Sequence, residues 1–268
     1  MIHQEIPIGK FVATEPSRQR SEIEAVLEDY LLLKDKHLGG QMEIVAPVLD
    51  DWILNRAEVA KSNRINGATY NPIARIKINE TTHSRILGDL LDPNGTHGQK
   101  NLFLVPFLGE LGIPEPTDGL WNVTVETGRV DILIWRNLPE KSAVIIENKS
   151  NGAGDRPNQI YRYWHRELFL WEPSLWTSTD KAKILERNRR FHVVYLPTDG
   201  GKSPETQSTE RPCGMETANP FEHVPLKCRI FSLAALMALW ERQAVPHIPP
   251  ENHRLRAFLS QYQELWTK

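Results

Sequence analysis

From residue 143 the chain reads Ala-Val-Ile-Ile-Glu-Asn-Lys, an apolar run that ends on a carboxylate, an amide and an ammonium. Alternate side chains of a strand share a face, so Ile145, Glu147 and Lys149 point one way and Val144, Ile146 and Asn148 the other. The segment upstream, Val130 to Trp135, has the same character, with Asp131, Leu133 and Trp135 on one face and Ile132 and Ile134 on the other. Strands that are apolar on both faces need cover on both. The turn-like Arg-Asn-Leu-Pro-Glu-Lys-Ser between the two segments predicts that they pair antiparallel.

The remaining periodicity supplies the cover. Ser17 to about Glu58 reads as helical, with Ile23, Val26, Leu27, Tyr30 and Leu31 at three- and four-residue spacing and a break at Gly39-Gly40. A helix is expected after Asn79 as its cap, ending at Asp92-Pro93, and a short one over Leu102–Leu111. Strands are expected near Trp121–Glu126, Val130–Trp135, Ala143–Lys149, residues 191–200 and within Leu-Lys-Cys-Arg-Ile-Phe-Ser-Leu, which begins at Leu226. A helix follows the Lys149 strand, and two more close the chain at about Leu233–Arg242 and Glu251–Trp266. This order predicts an α/β domain with a mixed sheet flanked by helices and an N-terminal helical extension. The extension is taken as residues 1–70, packed on a core of residues 71–268.

Composition excludes several classes. With 268 residues, of which 40% are hydrophobic and 25% charged, the chain has the make-up of a globular protein with a full core. No apolar run is long enough to span a bilayer. The first sixteen residues lack a basic segment followed by a long apolar one, and there are only two cysteines, so a cytoplasmic setting is expected. The net charge of −2 argues against a uniformly basic coat for nucleic acid. A local basic face or a cation held among carboxylates can still provide positive potential.

The chemistry sits at the strand ends. Antiparallel pairing across the short turn brings Asp131 beside Glu147. Two carboxylates so close repel, and a divalent cation removes the repulsion. Lys149 adds a cation that can orient water or stabilise a phosphoryl oxygen. Asp131 followed by Glu147-Asn148-Lys149 resembles the PD-(D/E)xK nuclease superfamily. The blocks Glu80–Gly98, Gly128–Trp135, Ile145–Tyr163 and Val193–Gly200 stand in the order found in a bacterial branch of that superfamily. The resemblance implies a restriction-endonuclease-like core and a Mg²⁺-dependent nuclease, with Mn²⁺ as a substitute and DNA rather than RNA as the expected partner. It implies metal ligation by Asp131, Glu147, Glu80 and the backbone carbonyl of Asn148, with Lys149 as the catalytic lysine and Gln159 as the polar residue of the following helix. Val130 stands where the superfamily's name has proline. Bacterial defence or mobile-element biology is the setting it suggests.

Gln159, Arg162, Tyr163 and Arg166 share one helical face by their spacing and suit a phosphate backbone and its bases. The basic run Lys181, Lys183, Arg187, Arg189 and Arg190 reads as a solvated helix face. His83 and His97 fit no zinc spacing, and His83 reads as a packing residue one turn from Glu80. Cys213, His223 and Cys228 lack the fourth ligand and the tight pairs of a zinc site. Which of the eight tryptophans stack on bases is not legible. Two other readings stay open: a catalytically weak or inactive module for binding nucleic acid or protein, and an RNA substrate. The N-terminal helices are candidates for a homodimer or protein contact.

Overall fold

The computed structural model describes residues 24–30, 41–67, 70–152, 154–198, 200–215 and 220–266. The expected start of the first helix at residue 17 and its break at Gly39-Gly40 lie outside the described residues, as does Asp199 in the expected strand 191–200. The chain divides into two compact units, 1–70 and 71–268. In the first unit, residues 24–30 (α1) and Gln41–Asn66 (α2) are helical.

The second unit is built on a five-stranded mixed sheet. Its strands are β1 (Asn122–Val125), β2 (Ile132–Arg136), β3 (Ser142–Lys149), β4 (Phe191–Pro197) and β5 (Arg229–Ile230), in that spatial order. β1–β2 and β2–β3 pair antiparallel, while β3–β4 and β4–β5 pair parallel. β3, central in this order, is buried along its whole length, as its two apolar faces require.

Each face of the sheet has its own core. On one side Ile132, Ile134, Val144, Ile146, Val194 and Leu196 pack with side chains of α3 (Glu80–Leu91), α4 (Leu104–Leu111), α8 (Leu233–Gln243) and α9 (His253–Gln263). On the other, Ala143, Ile145 and Phe191 meet the aromatic wall of α5 (Gln159–Trp164), the π turn His165–Phe169 and α6 (Pro173–Trp176). α3 lies so close to β1 that a Cβ at Gly88 would stand 2.2 Å from Val125 Cγ2, which glycine alone avoids. The result is the α/β, restriction-endonuclease-like architecture that the sequence predicts.

Several details differ from the sequence reading. The helix after β3 starts at Gln159, beyond Pro157, and widens into the π turn instead of continuing to Trp171. The last strand shrinks to two residues, because only Arg229 and Ile230 pair with β4. In α7 (Lys181–Arg190) the basic run is not wholly solvated. Arg187 is buried, donates to the Trp176 carbonyl at 3.2 Å and lies over the Trp176 ring. Arg190 is also buried and donates to the Lys141 carbonyl at 2.7 Å. These two guanidiniums satisfy carbonyls, while Lys181, Lys183 and Arg189 remain exposed.

Candidate active site

The site forms where β2 and β3 leave the buried sheet. The register that sets Ile132 opposite Ile146 brings Asp131, one step before β2, opposite Glu147. Asp131 Oδ2 accepts the Asn148 N–H at 2.7 Å, which fixes its carboxylate at the strand end. The Asn148 carbonyl leaves a strand on the same side as that N–H. Glu147 is 1% exposed; its Oε1 lies 2.7 Å from Lys149 Nζ, and its Oε2 is buried with no hydrogen-bond partner. Lys149 Nζ also lies 3.5 Å from Asp155 Oδ1.

Asp155 was not picked out by sequence reasoning. Its buried side chain accepts from Tyr195 Oη at 3.0 Å and from the Glu205 N–H at 2.7 Å. It thus fixes the lysine from behind. Asn148 ties the strand end to α3: its Nδ2 donates to the Glu80 carbonyl at 3.1 Å and to Ser84 Oγ at 3.0 Å. The N-terminus of α3, capped by Asn79 Oδ1 on the Thr82 N–H at 2.8 Å, therefore presents Glu80 at the same opening. Glu80 Oε1 accepts the Asn151 N–H at 3.4 Å.

Glu80, Asp131, Glu147, Lys149, Gln159 and Tyr163 line one cavity of about 340 Å³. So do Glu126, Arg129 and Arg156, which sequence reasoning missed. The signal lay in Glu-Thr-Gly-Arg: Glu126, Gly128 and Arg129 all take left-handed backbone conformations, at φ 56°, 61° and 74°. That turn aims an acid and a base into the site at a conformational cost. A second cavity, of about 260 Å³, shares Arg129, Arg156, Gln159 and Tyr163 with the first and adds Arg162 and Arg166. The four residues expected on one helical face are brought together there, with Arg166 outside α5 on the π turn. Among the described residues no acid pairs with Arg129, Arg156 or Arg162, whereas Arg166 pairs with Glu167.

The electrostatics follow from burial. Desolvation, with Glu126 and Glu80 nearby, pushes Asp131 up to about 6 against the pull of the Asn148 N–H and Lys149. Desolvation and then the Asp131 charge push Glu147 up to about 8. Burial works against the Lys149 ammonium, but Glu147 and Asp155 outweigh it and hold the pKa above the ordinary lysine value. Desolvation lifts Tyr163 to about 12, and its hydroxyl accepts from Gln159 Nε2 at 2.9 Å, so it is a donor at neutral pH and not a base.

The orphaned Glu147 Oε2 beside Asp131 gives hard oxygen donors that fit a small divalent cation. Among the described residues no three His, Cys, Asp or Glu side chains form a ready-made metal cage. Mg²⁺ needs none, since one or two carboxylates suffice when water and substrate phosphate complete the shell. His83 is buried against Tyr262 and Trp266, and desolvation lowers it to about 4, so it stays neutral as a packing residue.

A family model described as the PD-(D/E)XK nuclease superfamily matches residues 70–267. The chain belongs to this superfamily. The match spans the sheet, both helical layers and every residue of the two cavities. No curated protein and no solved structure gave a match. Membership makes nuclease activity and a divalent metal the general expectation, and it assigns no role to individual residues. No described helix is long and apolar enough to cross a membrane.

Proposed function

We propose that the chain is a metal-dependent nuclease, a DNA endonuclease in the first instance, whose centre is Asp131, Glu147 and Lys149. The observation that carries this reading is the opposed pair Asp131 and Glu147, with the orphaned Glu147 oxygen and the Lys149 ammonium beside it. Asp131 and Glu147 would hold Mg²⁺, with Mn²⁺ as a substitute, and Glu80 and the Asn148 carbonyl would complete the protein's share. When bound, the ion supplies Lewis acidity toward the phosphodiester and acidifies water.

The chain's own groups do the rest. A divalent cation held there would offset the burial and the Asp131 repulsion that raise the Glu147 pKa, so that both carboxylates would ionise. Lys149, held by Asp155 as well as Glu147, donates to the attacking water or to a phosphoryl oxygen. Gln159 and Tyr163 donate from the cavity wall. Arg129, Arg156 and Arg162 contact the phosphates that flank the scissile one. These contacts offset, at the place of use, the unfavourable net charge.

The test is cleavage of linear duplex, plasmid, single-stranded DNA and RNA with Mg²⁺ or Mn²⁺, using Asp131→Ala and Lys149→Ala as controls. Lys149→Ala is expected to keep metal binding by calorimetry and to lose about 10²–10³-fold in cleavage, the usual effect of removing one oriented donor. Undiminished cleavage by Lys149→Ala would refute the mechanism.

A further inference from the structure

We propose that the cleft beside the arginine cavity seats an unpaired nucleobase, so that the preferred substrate carries a single-stranded segment next to the bond that is cut. The inference deepens the nuclease reading and rests on it for the word substrate.

Three observations carry it. The first is continuity. The acid cavity and the arginine cavity share Arg129, Arg156, Gln159 and Tyr163, and the arginine cavity shares Arg166 with a further cleft of about 550 Å³. One strand can therefore run from the carboxylates, past the guanidiniums, into that cleft. The second is the lining. Its apolar surface comes from Leu133 and Trp135 of β2 and from Leu170 and Trp171 after the π turn, and all four are at least partly accessible. The two indoles stand edge to face, with centroids 6.2 Å apart and planes at 85°. A flat ring can stack on one indole and meet the edge of the other, which is the aromatic arrangement that bases use without sequence preference. Thr124, Thr127 and Asn137 add donors and acceptors for a base edge.

The third is charge. An apolar groove alone would suit many occupants. Here it opens beside the guanidiniums of Arg129, Arg156 and Arg162, which form no ion pair among the described residues. Glu167, the acid among the described residues that line the cleft, is engaged by Arg166. A polyanion with a flat apolar appendage matches both halves. A base within a duplex would have to unstack and unpair first, whereas a base in a tail or flap has little to give up. The cleft thus selects unpaired DNA.

The test is fluorescence anisotropy of the full chain in EDTA with three labelled DNA probes: a blunt duplex, the same duplex with a ten-nucleotide single-stranded tail, and the tail alone. Tailed DNA is expected to bind at least about tenfold more tightly than blunt duplex. Trp171→Ala should lose about tenfold or more on tailed DNA, from the value of stacking one base on an aromatic ring. It should change blunt-duplex binding less than about twofold. Leu170→Glu places a carboxylate at an exposed position of the same cleft and should reproduce the pattern in a chain whose melting temperature is unchanged. Equal binding of blunt and tailed DNA, or variants that weaken both alike, would overturn the inference. Because binding is read without metal, absence of cleavage would count against the nuclease reading alone. Equal cleavage of all probes by wild type and both variants would count against the cleft alone.

Discussion

Replacing Glu147 with glutamine should stabilise the metal-free chain at alkaline pH, although it removes half of a buried ion pair. Glu147 is 1% exposed, and burial with Asp131 alongside raises its pKa from 4.5 to about 8. A folded-state pKa above the unfolded one means that the folded chain holds the proton more tightly. The associated stability is complete below about pH 4.5 and is lost as pH rises through 8. At about 1.4 kcal/mol per pH unit the rise corresponds to an upper bound of about 5 kcal/mol. Relaxation and water entry at the cavity mouth reduce such buried-charge penalties, and about 2 kcal/mol is the expected gain for Glu147→Gln at pH 8. For a domain of this size that is about 4–8 °C in melting temperature. Near pH 5, where glutamine mimics the protonated acid, the two proteins should melt together. The assay is calorimetric melting in EDTA from pH 5 to 8.5, repeated with Mg²⁺. Wild type should lose stability as pH rises and regain it with Mg²⁺; Glu147→Gln should do neither. If Glu147→Gln is instead destabilised at pH 8, then the 2.7 Å bridge to Lys149 outweighs burial and the reasoning is refuted.

Three further outcomes are expected. Asp155→Asn should slow turnover about tenfold with little change in Mn²⁺ affinity, because it loosens Lys149 without touching Asp131 or Glu147; calorimetry beside single-turnover kinetics separates the two effects. Asn148→Ala should lower stability by about 1–3 kcal/mol, measured by urea unfolding, because Ser84 Oγ and the Glu80 carbonyl lose a buried donor. Gly128→Ala sets a left-handed turn against a side chain and puts a Cβ 2.8 Å from the Arg166 guanidinium. DNA binding should weaken, and the salt dependence of Kd should become shallower by about one phosphate contact.

Much of the frame was legible because it follows from simple periodicity. Apolar residues on both faces of Ala143–Ile146 required two covering layers, and both are present. The short turn after Arg136 set β2 against β3, and the facing of Asp131 and Glu147 follows from that register. The Asn79 cap was likewise readable, since asparagine before a helical run accepts a free N–H. What escaped depends on backbone conformation or on contacts distant in sequence. Glu126 and Arg129 reach the site through left-handed residues that spacing does not reveal. Asp155 looks like a turn residue until Tyr195 and Glu205, forty and fifty positions away, close on it. Arg187 and Arg190 look like solvated charge until carbonyls are found for them. Trp135 and Trp171 meet only in the folded chain.

The sheet ends in a four-residue strand on one side and a two-residue strand on the other. Unpaired strand edges invite ladder growth from another chain, and very short edges withhold it. β5 offers little backbone to a newcomer, and β1 gives way at Glu126 to a left-handed turn. A protein whose central strand is rich in valine and isoleucine carries an aggregation hazard in that strand. Here the hazardous segment lies between β2 and β4, and the accessible rims are too brief to template a copy. Protection against runaway association is therefore a matter of strand length, independent of the charge that serves the proposed chemistry.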